Sequence, residues 1–134
     1  AKIEGYLACE SVESSVEMIA GVINDDVFGP TVLVGMGGTL AEVMHDVSYR
    51  VAPFDVETAH AMIRELKGSA VLHGVRGHAA CDVDALADAL CKLSQFAWAR
   101  RDDVRELDIN PLFVRQAGAG VIAADALAVI DKND

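Results

Sequence analysis

The stretch GPTVLVGMGGTLAEVMHDVSYRVAP, residues 29–53, decides what kind of fold this chain can have. Thr31 to Val34 is short, β-branched and apolar, as a central strand requires. Gly35, Gly37 and Gly38 follow at once. Val47, Tyr49 and Val51 then alternate with Ser48 and Arg50, giving a second strand that Pro53 ends. A strand, a glycine cluster and another strand are not the strand, glycine turn and helix of a dinucleotide fingerprint. No Gly-Lys-Ser/Thr follows the glycines, so a Walker A loop is excluded as well.

Working outward, Val16, Met18, Ala20 and Val22 alternate with Glu17, Ile19 and Gly21, and Ile3 to Cys9 reads as a further short strand. Asn24 to Pro30 holds Asn-Asp-Asp and Gly-Pro and should turn. Asp55 can cap a helix from Val56 to Lys67, with Ala59, Met62, Ile63 and Leu66 on one face and Gly68 as terminator. Asp82 can cap a second helix, whose stripe is Val83, Leu86, Leu90, Leu93 and Ala97. Val104 to Ile109 is a strand. Leu112 to Val114 and Val121 to Ala123 flank the Gly118–Gly120 turn as a hairpin would. Two helices among hairpin-linked strands predict an α+β fold, a largely antiparallel sheet with both helices on one face. With no repeats and no long linker, the 134 residues form one domain or a piece of a larger one.

Composition narrows function. The chain has 11 Lys and Arg against 21 Asp and Glu, a formal charge of −10, which repels phosphate backbones and anionic lipid. Nucleic acid and membrane surfaces are therefore poor partners. A nucleotide would need Mg²⁺ or a local cluster of cations. Cys9, Cys81 and Cys91 are an odd set without C-x-x-C spacing, which argues against a disulfide framework and for a reducing cytoplasm. No apolar run is long enough to span a bilayer. The opening without an initiator Met reads as a fragment or a processed product. His45, His60, His73 and His78 lack the helix spacing of zinc ligands, although His73 and His78 bracket Arg76 in a loop where phosphate could be met. No Ser/His/Asp set is evident.

Three segments carry candidate chemistry. Gly37 and Gly38 leave backbone N–H groups free to face an anion, and Glu42 follows them; a tight turn and a solvated carboxylate answer the same residues. With Val47, Tyr49 and Val51 facing inward, Ser48 and Arg50 share the other face. Arg50 there offers a planar fork for phosphate or carboxylate, or simply a surface salt bridge. On a strand, Glu106, Asp108 and Asn110 project to one side, a row of hard oxygen donors suited to Mg²⁺ or a merely solvated face. A hairpin would return Asp125 to the neighbourhood of Asp108 and Asn110, unless it caps a helix over Ala126 to Val129.

Together these segments resemble one family. Residues 29–53 are similar to the central block of ATP-grasp domains in NDP-forming acyl-CoA synthetases. ELDINPLFV (106–114) and VIAADALAV (121–129) resemble the closing metal-binding block, shared with succinyl-CoA synthetase β subunits. VEMIAGV (16–22), the acidic residue in YLACE (6–10) and GVRGHAACDVDALADAL (74–90) also fit, so the resemblance spans nearly the whole chain. It implies that Asn110 and Asp125 bind the Mg²⁺ of the nucleotide, with Asp108 in the acidic position of the same motif. It implies that the hinge around Leu7, Cys9 and Glu10 lies against the adenine, and that Glu17, Gly37, Gly38, Glu42 and Arg50 line the phosphate end.

The family reaction is the reversible conversion of acid, CoA and ATP into acyl-CoA, ADP and phosphate, through an acyl phosphate and a histidine relay. None of the four histidines matches that relay. The resemblance covers only the second lobe of the ATP clamp. The first lobe and the CoA-binding and ligase-type domains are the implied partners, catalysis by the fragment alone is not expected, and a self-associating surface is an alternative to a docked lobe. The same module also occurs fused to protein acetyltransferases, where it can be regulatory. A missing lobe should leave an exposed apolar face.

Overall fold

A computed structural model describes residues 15–38, 43–74, 77 and 79–131. The candidate strand over 3–9, with Leu7, Cys9 and Glu10, lies outside the described residues, as do Glu42, Arg76 and His78. Six strands, β1 (Val16–Asp25), β2 (Gly29–Met36), β3 (Val47–Val51), β4 (Val104–Val114), β5 (Val121–Ala123) and β6 (Ala126–Ile130), form one sheet. Its order is β3-β2-β1-β4-β5, with β6 following β5 along the same edge of β4, and every pairing is antiparallel. Helices α1 (Val56–Glu65) and α2 (Val83–Ala99) are inserted between β3 and β4. The α+β expectation holds.

Local chemistry explains the turns and caps. Asp25 Oδ1 accepts the amides of Val27 and Phe28, which closes the β1–β2 hairpin. Asp55 accepts the Thr58 amide at 2.8 Å to start α1. The helix stops at Glu65, short of Lys67, and a single 3₁₀ turn over Ser69–His73 follows. Asp82 caps α2 through Ala85 at 3.1 Å, and its other oxygen accepts the amides of Gly118 and Gly120 in the β4–β5 turn. One carboxylate thus ties the start of α2 to the tip of a hairpin.

Those bonds favour the ionised form, so the Asp82 carboxyl sits below its ordinary range, chiefly through the Ala85 amide and then Gly120. A depressed folded pKa adds stability above the unfolded value, and that stability is lost as pH falls through the folded one. As pH falls below about 4, thermal unfolding of the wild type should therefore lose more midpoint than that of Asp82→Asn; parallel curves would refute this.

The core lies between one face of the sheet and the two helices. Met18, Ala20, Val22, Val32, Val34, Leu112 and Val114 from the sheet meet Ala59, Met62, Ile63, Leu86, Ala87 and Leu90 from the helices. No helix among the described residues is long and apolar enough to cross a membrane. The opposite face of the sheet, turned away from α1 and α2, leaves large apolar groups exposed, among them Ile23, Tyr49, Val51, Leu127 and Val129. Val27 and Phe28 are exposed at the adjoining hairpin tip. An open apolar face is what a missing lobe predicts.

Two features of the sheet depart from the sequence reading. The first is β4, which runs unbroken from Val104 to Val114 rather than as two strands. Between its pairing of Ile109 with Ala20 and of Leu112 with Met18 it holds one residue more than β1, a bulge at Asn110–Pro111, where the peptide bond is cis. Leu107 and Ile109 pack toward the core on one side of the bulge, Leu112 and Val114 on the other. The second is the face of β3. Ser48 lies opposite Val34 and is buried, whereas Tyr49 and Val51 are exposed. Ser48 and Arg50 therefore face the helices, and Tyr49 and Val51 face the open side.

Gly21 lies opposite Asp108 in the pairing of β1 with β4. A Cβ there would lie 2.6 Å from the Leu107 carbonyl oxygen. Backbone cannot rotate away as a side chain can, so Gly21→Ala should cost about 1–3 kcal/mol, read as a lower denaturant midpoint with an unchanged slope.

Candidate functional site

A band across one end of the open face brings together residues from four strands. At its first edge, β2 ends and the Gly37 amide donates to the Glu17 carbonyl at 2.9 Å. A Cβ on Gly37 would lie 2.8 Å from that oxygen, so only glycine lets the chain turn this close to β1. Gly38 follows with φ of 89°, in the left-handed region. Glu17 is the second residue of β1 and exposed, between the half-buried Val16 and the buried Met18.

Next in the band is the bulge of β4. Asp108 lies opposite Gly21 of β1 and opposite Leu127 of β6, on the open face. Asn110 follows two residues later and is exposed. The Asn110 amide donates to the carbonyl of Asp125 at 3.1 Å, and the Ala124 amide donates to Pro111 at 3.0 Å. Asp125 occupies the link between β5 and β6, also exposed. Residues bonded across antiparallel strands have Cα atoms about 5 Å apart, so Asn110 and Asp125 are immediate neighbours. Ala126 to Ile130 is a strand, which removes the helix-cap alternative for Asp125.

The donor set is hard: one amide oxygen and carboxylates, with no nitrogen or sulfur. That suits Mg²⁺, which keeps several waters and takes one or two protein carboxylates beside phosphate oxygens. Among the described residues no three His, Cys, Asp or Glu side chains gather closely enough to hold a metal by themselves. Any magnesium here would rely on Asn110, Asp125 and a bound polyphosphate together.

Arg50 stands apart from the band. On the helix side of the sheet its guanidinium is taken up by both oxygens of Glu65. The Ser48 hydroxyl donates to the same carboxylate at 2.8 Å. Arg50, and secondarily Ser48, hold the Glu65 carboxyl below its ordinary range. His60 reaches Asp84 at 3.4 Å across the two helices, and His45 and His73 are exposed.

Sequence reasoning assigns Asp46 no role of its own, yet it is the one buried charged residue among the described residues. A lone Asp before a strand carries no pattern, so nothing local would have marked it.

A family model described as an ATP-grasp domain matches residues 1–130. The chain belongs to the ATP-grasp domain family. Among its relatives is acetate–CoA ligase [ADP-forming] I of Archaeoglobus fulgidus, 41% identical over 122 residues, covering 91% of this chain and 18% of the ligase. Another is the β subunit of acetate–CoA ligase [ADP-forming] II of Pyrococcus furiosus, 35% identical over 130 residues, covering 97% of this chain and 55% of the subunit. This ATP-grasp chain thus spans from under a fifth to about half the length of such relatives. Its fold is also that of a solved acetyl-coenzyme A synthetase 1 of Ca. Korarchaeum cryptofilum, in complex with coenzyme A and Mg-AMPPCP (TM-score 0.80, 36% identity, 87% of this chain and 53% of that one). PH1788 from Pyrococcus horikoshii superposes with a TM-score of 0.83 at 33% identity, over 88% of this chain and 49% of that one.

Proposed function

We propose that this chain is the nucleotide- and Mg²⁺-gripping second lobe of an ADP-forming acyl-CoA synthetase. It works with a first ATP-grasp lobe and with CoA-binding and ligase-type domains that lie outside these residues. The whole protein would join an acid to CoA at the expense of ATP, reversibly, through an acyl phosphate and a phosphohistidine carried elsewhere. The observation that supports the reading is the direct backbone bond from Asn110 to Asp125, which makes neighbours of two residues that bear hard oxygen donors.

Within that reading, Asn110 and Asp125 hold the metal, and Asp108, two residues before Asn110 on β4, binds one of its waters. When bound, Mg²⁺ offsets negative charge on the phosphoryl oxygens. Gly37 and Gly38 keep side chains away from the phosphate end. Glu17, beside them, orients the nucleotide or a cation on it. The exposed apolar groups flanking the band receive the first lobe, whose closure excludes water. Leu7, Cys9 and Glu10 serve as adenine contacts and Glu42 as a contact to the phosphate end. Arg50, engaged by Glu65, is left out of the site.

Calorimetric titration of MgADP into the protein carrying both lobes tests this. Asn110→Ala and Asp125→Ala should each weaken binding and its Mg²⁺ dependence, while Arg50→Ala should leave both unchanged. Equal affinity and equal Mg²⁺ dependence in wild type, Asn110→Ala and Asp125→Ala would sink the metal assignment.

A further inference from the structure

We infer that Asp46 is a positioning residue for nucleotide binding: it fixes the Gly37–Gly38 turn against Glu17 from behind the sheet. The inference rests on the nucleotide reading of the open face given above. Asp46 is only 8% exposed. Its two carboxylate oxygens accept the amides of Lys67 and Gly68, each at 2.7 Å, just past the end of α1. Its own carbonyl accepts the Met36 amide at 3.0 Å. Met36 is followed at once by Gly37, whose amide is bound to Glu17. A chain of four short bonds therefore runs from the end of α1 through Asp46 and Met36 to the glycine turn.

Packing closes the same path. A Cβ on Gly68 would lie 2.9 Å from Met36 Cγ and 3.2 Å from Asp46 Oδ2. The end of α1 is thus pressed against the last residue of β2 and against the carboxylate. Helix stability does not ask for an acid here, because the C-terminal end of a helix carries the negative pole. Two charge-assisted bonds to a buried carboxylate hold geometry well instead. A displacement of about 1 Å in a binding group can cost two orders of magnitude in rate, so a rigid brace behind a phosphate turn has a use that stability alone does not supply.

The test is steady-state kinetics of the complete ligase with wild type, Asp46→Asn, Gly68→Ala, Ser48→Ala and Asn110→Ala. Asparagine has a single acceptor oxygen and would turn its NH₂ toward one of the two amide donors. Asp46→Asn should raise KM for the nucleotide about tenfold or more, with KM for CoA and for the acid within about twofold of wild type. Gly68→Ala pushes on Met36 from the other side and should give the same nucleotide-selective rise, which keeps the idea testable if Asp46→Asn does not fold. Ser48→Ala disturbs the neighbouring Glu65 network without touching this path and should shift none of the three. Exchange of the Gly37 amide with solvent should quicken in Asp46→Asn. An unchanged nucleotide KM in Asp46→Asn or Gly68→Ala, or an equal rise in all three, overturns the positioning role if Asn110→Ala still raises the nucleotide KM. If Asn110→Ala also leaves it unchanged, the nucleotide reading itself falls.

Discussion

Replacing Asn110 and Asp125 together with alanine should weaken MgADP binding to the two-lobe protein by at least about 100-fold, since even outer partners of metal ligands cost 10- to 100-fold when removed. The single variants should each lose less, and their losses should not add. Each provides one oxygen to the same ion, and the ion also keeps phosphate and water ligands. The residual binding of the double variant should no longer respond to Mg²⁺. Raising the metal concentration should partly rescue Asn110→Ala, because a neutral amide oxygen is readily replaced by water. It should rescue Asp125→Ala poorly, because a charge has gone from a site that must face a polyphosphate. Folding is not at stake, since both side chains are exposed and the bond between the two residues is made by backbone atoms. Circular dichroism should be unchanged. A double variant that binds MgADP with wild-type affinity would leave the band across β2, β1, β4 and β6 without its central pair.

The largest stability effect is expected at Leu86. It is fully buried on α2, at the head of a stripe that continues through Ala87, Leu90, Ser94 and Ala97. One side of its surroundings is a hydrogen-bonded sheet, which cannot move inward to fill a void. Leu86→Ala should therefore cost about 2–5 kcal/mol. The outcome depends on how far the buried methionines Met18 and Met62, unbranched and adaptable, fill the space. Leu86→Met keeps the volume and should cost less than about 1.5 kcal/mol. Urea unfolding followed by fluorescence of Trp98 would read both. A loss below about 1 kcal/mol in Leu86→Ala would mean that the helix layer packs more loosely than its burial indicates.

Much of this fold was legible because its signals are local. Asp55 and Asp82 announced their helices, Asn24 to Pro30 announced its hairpin, and the alternation of Val16 to Val22 announced β1. The juxtaposition of Asn110 with Asp125 followed from hairpin geometry alone. What escaped depends on partners distant in sequence. The strand Val47–Val51 alternates cleanly, but alternation cannot say which side meets the helices. Ser48 and Arg50 go inward because Glu65, on α1, receives them. Pro111 looked like a break in β4, whereas the strand absorbs it as a bulge against β1. Gly68 read as a helix terminator, yet α1 stops earlier and the glycine is demanded by Met36 and Asp46. Asp46 was invisible for the same reason, since all its side-chain partners lie more than 20 residues ahead of it.

The extra residue in β4 makes this strand two half-strands of opposite phase, joined between Ile109 and Leu112. The bulge is what lets both halves keep their apolar side chains inward: the same residues in unbroken pairing with β1 would turn one half from the interior to water. A lone deletion at Asn110–Pro111 would leave Ile109 and Leu112 with one residue between them, matching Ala20 and Met18 on β1, so the interior would survive the trim and the loss would fall on the exposed Asn110 position.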